Sequence, residues 1–159
     1  MEFGEEALKY LNLGIESELA AYVFYKRVMT VIPDEALRTL LTRLALDEKA
    51  HFLSLEDTYD RHVRSECWAP YKDIMTRPGL PDIDELVQES HKDLLGKVGR
   101  LRTKKEVLEM ALLLEQEAVT LYSGGAAKAR NAEEKKIFDY LTGFERGHVQ
   151  IIEKELAGL

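Results

Sequence analysis

Ile15–Tyr25, IESELAAYVFY, and Leu112–Tyr122, LLLEQEAVTLY, align without a gap at an offset of 97 residues, which pairs Glu18 with Glu115, Ala21 with Ala118 and Tyr25 with Tyr122. The same offset carries Leu44–His51, LALDEKAH, onto Leu141–His148, LTGFERGH, so Glu48 meets Glu145 and His51 meets His148. Leu11 falls on Leu108 and Glu56 on Glu153. A constant offset across two separated segments means that one helical hairpin occurs twice. Such hairpins are related by a pseudo-twofold axis, and what these two share most strictly is polar.

Around these stretches the apolar residues recur at alternating spacings of three and four, the period of an amphipathic helix. The spacing predicts a first helix from about Glu5 to Val31, with Pro33 beyond it, and a second that starts behind Asp34 as N-cap. A third helix is expected from about Thr103 to Ala129, loosened or kinked at Ser123-Gly124-Gly125, and a fourth from Asn131 as cap almost to Leu159. Pro70, Pro78, Gly79 and Pro81 break the pattern between the hairpins. The connection there is long for a bundle loop, and its part from Asp82 to about Val98 is amphipathic, so a shorter crossover helix is expected, with Cys67, Trp68 and Tyr71 packing the crossover. The fold class is therefore all-α: a four-helix bundle in one domain, residues 1–159, with hairpin 5–62, crossover 63–102 and hairpin 103–158.

Composition removes several function classes. The chain has 159 residues, and 22 Lys and Arg against 29 Asp and Glu leave a net charge of −7, which disfavours nucleic acid as a partner. No stretch reaches the ~18 apolar residues of a membrane span, and the acidic start, MEFGEEALKY, does not read as a signal peptide, so a cytoplasmic location is expected. The single cysteine, Cys67, allows neither an intrachain disulfide nor a CxxC metal site.

Glu18, Glu48, Glu115 and Glu145 lie on the stripes that should face the core, and His51 and His148 follow Glu48 and Glu145 one helical turn later. A carboxylate buried in a bundle costs several kcal/mol unless it is paired or neutralised. No Lys or Arg lies on these stripes. Two divalent cations would balance the four negative charges, with the imidazoles as neutral nitrogen ligands. One Glu on each of two helices and Glu-x-x-His on the other two is the known ligand arrangement of di-iron and di-manganese carboxylate bundles. A single buried Glu, or a single Glu-x-x-His, would carry little information; six such residues at matched depths carry much more. Tyr25 and Tyr122 lie two turns beyond Glu18 and Glu115, where each is either a core tyrosine or a hydrogen-bond donor to a ligand carboxylate across the bundle. Asp47 could accept from a histidine of the opposite hairpin, but its repeat mate is Phe144, so the site is not fully symmetric. Glu16 and Glu117 are expected to be solvated, and His62 and His91 to lie at the surface.

With these segments the sequence resembles the rubrerythrin-like branch of the ferritin-like di-iron proteins. The resemblance rests on ESELAAYVFY from Glu16, DEKAH from Asp47, EQEAVTLY from Glu115 and FERGH from Phe144, and covers everything but the crossover. It implies metal ligands Glu18, Glu48, His51, Glu115, Glu145 and His148, with Glu48 and Glu145 bridging the metals or beside them. It also implies two iron ions as cofactor; manganese or zinc can occupy the same donors. Rubrerythrins proper carry a further carboxylate where this sequence has Ala118, and a rubredoxin-type cysteine domain that nothing here could form. The short fifth helix that lines ferritin cages is also missing, so a storage shell is not expected.

The expected function is a di-iron redox protein that reduces hydrogen peroxide, or dioxygen, with electrons from an external donor. Two Fe(II) ions giving one electron each match the reduction of one peroxide. The alternatives are a ferroxidase that handles iron and a non-enzymatic metal-stabilised bundle that binds a partner. A homodimer is expected, without nucleic-acid or membrane partners.

Overall fold

The computed structural model describes residues 3–63 and 92–159, and over these it is all-α. The order is α1 (Glu5–Val28), α2 (Glu35–Val63), α3 (Lys92–Val98), α4 (Lys104–Lys128) and α5 (Ala132–Ala157). Cys67, Trp68, Tyr71, His91 and the part of the expected crossover helix before Lys92 lie outside the described residues.

Local chemistry sets the helix starts. Asp34 Oδ1 accepts from the Leu37 N–H at 2.8 Å and opens α2. Thr103 opens α4 through a reciprocal capping box, its hydroxyl accepting from the Glu106 N–H at 3.1 Å while Glu106 accepts from the Thr103 N–H at 3.3 Å. Asn131 caps α5 by accepting from the Glu134 N–H at 2.9 Å.

α1 packs on α2 and α4 on α5, the two hairpins join through α1 and α4, and α3 lies against α1. Val98 of α3 is fully buried there. Two apolar clusters fill the bundle. One gathers Phe24, Val28, Leu37, Leu41, Leu44, Leu108 and Ile152. The other gathers Phe3, Leu11, Leu55, Phe138 and Leu141. Along every bundle helix the Glu and Glu-x-x-His positions fall between these clusters, so the polar layer sits at mid-height with apolar packing above and below.

One detail departs from the sequence reading. α1 ends at Val28 and not at Val31. Thr30 N–H bonds back to Arg27 O and Val31 N–H to Val28 O, a tightened turn that ends the helix ahead of Ile32, whose position before Pro33 disfavours helix. α4, in turn, runs unbroken through Ser123-Gly124-Gly125. These glycines serve close packing: a Cβ on Gly125 would lie 2.8 Å from Phe138 Cδ1, and one on Gly124 would lie 3.2 Å from the Tyr10 ring.

Candidate metal centre

α1 contributes Glu18, α2 Glu48 and His51, α4 Glu115, and α5 Glu145 and His148, and none of the six is more than 6% exposed. Their donor atoms form two groups, Glu18–Glu48–His51–Glu145 and Glu48–Glu115–Glu145–His148, each with its atoms within 4.8 Å of one another. Glu48 and Glu145 belong to both. His148 Nδ1 lies 2.9 Å from Glu48 Oε1, 3.1 Å from Glu145 Oε2 and 3.3 Å from Glu115 Oε1. His51 Nδ1 lies 3.4 Å from Glu145 Oε1, 3.7 Å from Glu18 Oε2 and 4.0 Å from Glu48 Oε2.

These atoms converge without hydrogen-bonding one another. Glu18 Oε2, both oxygens of Glu48 and of Glu145, and Nδ1 of each histidine are buried with no aligned hydrogen-bond partner. Orphaned oxygens and nitrogens at this density are costly in an apolar bundle. A set of inward lone pairs from carboxylates and imidazoles is what a hard to borderline divalent cation requires. The residues therefore fit metal ions, and the clusters could hold them.

Without a cation the charges strain against one another. Burial, with Glu18, Glu115 and Glu145 nearby, pushes the Glu48 carboxyl well above its ordinary range, and burial pushes Glu115 up despite His148. Burial alone would raise Glu18 too, but the adjoining Glu48 carboxyl and the neighbouring His51 outweigh it and hold Glu18 below the ordinary value. Burial opposes the imidazolium forms, yet the surrounding carboxylates raise His51 to about 9 and His148 to about 10. In the metal-free protein the histidines thus take the cation's place as positive charge.

Both tyrosines reach across to the other hairpin. The Tyr25 hydroxyl donates to Glu115 Oε1, and the Tyr122 hydroxyl donates to Glu18 Oε1 at 2.5 Å. Burial and the adjacent carboxylates raise both phenols well above their ordinary value, so they remain donors. Asp47 Oδ2 lies 3.1 Å from His148 Nε2, the bond available to an Asp at this position. Ala21 and Ala118 are buried beside Glu18 and Glu115. Glu16 and Glu117 face solvent. His62 is not a plain surface residue: it stacks on Phe3 at 3.9 Å between ring centroids, because the antiparallel α1–α2 pair sets the start of α1 beside the end of α2.

Some contributors had no clear mark in the sequence. A cleft of about 620 Å³ opens between α2 and α5 beside His51, walled by Leu55, Ile137, Tyr140 and Phe144. The cleft exists because α2 and α5 approach each other less closely than the other bundle neighbours. Gly14 lets Tyr122 approach, since a Cβ there would lie 2.8 Å from its ring. Its repeat mate is Ala111, and two small residues at one repeat position were the available signal.

An antiparallel bundle with a mid-height layer of four carboxylates and two histidines is a ferritin-like architecture. The profile of the Ferritin-like domain matches residues 6–158, and the chain belongs to that family. A hypothetical protein from Pyrococcus furiosus shares the fold, with a TM-score of 0.65 at 22% identity over 95% of this chain and 88% of its own. A comparison with curated proteins finds no match. No helix among the described residues is long and apolar enough to cross a membrane.

Proposed function

We propose that the cluster is a di-iron centre of rubrerythrin type that reduces hydrogen peroxide, or less readily dioxygen, with electrons from an external donor. The observation that carries this reading is the sharing of Glu48 and Glu145 between the two donor groups. Two divalent ions held by Glu18, His51, Glu115 and His148 at the sides and by Glu48 and Glu145 in the middle would balance four carboxylates. Bound iron would supply the two electrons that turn one peroxide into water.

The remaining contributions come from the chain itself. Tyr25 and Tyr122 hold Glu115 and Glu18 in place from the opposite hairpin. At Glu18 this leaves Oε2 free to face His51, whereas Glu115 presents to His148 the same Oε1 that Tyr25 holds. Ala21 and Ala118, one turn after Glu18 and Glu115, pack into the apolar clusters at either end, which keep bulk water away.

Anaerobic iron loading followed by stopped-flow mixing with equal concentrations of peroxide and dioxygen tests the reading. Iron should approach two per chain, and the ferric absorbance should rise faster with peroxide. Iron staying near zero in folded protein defeats the proposal. Ala118 favours a second reading, ferroxidase, because it stands where rubrerythrins carry a further carboxylate. A preference for dioxygen with mineral growth on further iron addition would establish that alternative.

A further inference from the structure

Asp47 and Phe144 occupy one repeat position, each directly before a Glu-x-x-His, and they give the two histidines different surroundings. His148 directs Nδ1 at three carboxylates within 3.3 Å and has Asp47 Oδ2 at 3.1 Å from Nε2. At the matching place His51 meets the Phe144 ring, edge to face, with centroids 4.2 Å apart at 85°, closer than the 5.0 Å at which the same ring meets His148. Among the described residues no carboxylate lies within ion-pair distance of His51 Nε2, and its Nδ1 keeps 3.4–4.0 Å from its own carboxylates. The cleft between α2 and α5 opens on this side, with His51 in its lining.

A carboxylate that accepts from the outer N–H of an imidazole fixes the tautomer, orients the ring and makes the inner nitrogen a stronger donor. A phenyl edge does none of these. Building on the metal-binding reading above, we infer that the two positions are unequal. Glu48–Glu115–Glu145–His148 takes the first divalent cation tightly, and Glu18–Glu48–Glu145–His51 takes a second, exchangeable one. Asp47 is the positioning residue that makes the difference.

Two cations in one cluster repel, so a weaker second step alone would not distinguish the positions. The test is which side chain each step depends on. Metal-free full-length protein is titrated anaerobically with Co(II), following its visible absorption and competition with a chelator. His51→Ala should keep the tight first step and lose the second, whereas His148→Ala should lose the first. Asp47→Ala should weaken the first step by about 10–100-fold and leave the second unchanged. Asp47→Asn, of the same shape and still a weak acceptor, should weaken the same step less, which keeps the test open if the alanine variant folds poorly. With one equivalent bound, a paramagnetically shifted, slowly exchanging imidazole N–H should appear in the proton NMR spectrum and vanish in Asp47→Ala. Loss of the first step in His51→Ala, or equal weakening of both steps in Asp47→Ala, overturns the inference while leaving metal binding intact. No Co(II) uptake by folded parent protein overturns the metal-binding reading as well.

Discussion

Tyr122 reaches from α4 to Glu18 on α1, and both side chains are at most 1% exposed. Replacing it with Phe keeps the ring packed but leaves a buried carboxylate oxygen without its donor. Hydrogen bonds to charged groups contribute about 1.5–3 kcal/mol, and Tyr122→Phe should destabilise the metal-free protein by about that amount. Urea unfolding checks this: the midpoint should fall at unchanged slope. At this scale the sequence carried a good deal. The ligand-type residues were visible because carboxylates on an apolar stripe contradict the hydrophobic pattern and because the repeat doubled each one. Phe144 as the wall of His51 was not visible, since an aromatic residue at helical spacing looks like any core residue.

Glycine shows how poorly an element's behaviour follows from composition. Gly125 is buried against Phe138, and a Cβ there would sit 2.8 Å from the ring. Gly143, on the outer face of α5, has nothing within 4 Å of an added Cβ. Alanine gains up to about 1 kcal/mol in helix propensity at either place. At Gly143 that gain stands alone, so Gly143→Ala should stabilise by about 0.4–1 kcal/mol. At Gly125 overpacking, about 1–3 kcal/mol, outweighs it, and Gly125→Ala should destabilise. Paired thermal melts check the opposite signs. Helix existence, the Asp34, Thr103 and Asn131 starts and the α5 end were legible locally. The packing role of Gly124 and Gly125 was not legible, because the rings that meet them, Tyr10 of α1 and Phe138 of α5, come from other helices.

At the scale of the whole molecule, Glu134 ties the start of α1 to the turn between α4 and α5. Its Oε1 accepts from the Gly4 N–H at 2.8 Å and its Oε2 from the Arg130 N–H at 2.6 Å. Burial pushes the carboxyl up, but these backbone donors, the Arg130 charge and Asn131 hold it below its ordinary 4.5. A depressed carboxylate stabilises fully above its unfolded value, and the contribution is lost as pH falls through the folded one. Glu134→Gln should therefore cost about 1–3 kcal/mol at neutral pH, with the gap to the parent closing as pH drops below 4.5. Urea unfolding of both proteins across that range decides it. Metal should stabilise the whole bundle too. A free cation at about 100 times Kd adds about 2.7 kcal/mol per site. For each site filled to that degree this predicts a rise in Tm of about 5–10 °C, reversed by a chelator, in parallel scanning calorimetry runs.

The sequence by itself determined the all-α repeat, the hairpin order and the polar layer, because helical periodicity and a gapless offset are local and one-dimensional. Only the tertiary structure decided what those positions meet: Tyr122 against Gly14, Asp47 on His148, Phe144 on His51, and the cleft between α2 and α5. Each of these contacts joins residues far apart in the chain. The gap between helices depends on the volumes facing one another across it, a property that no single helix carries.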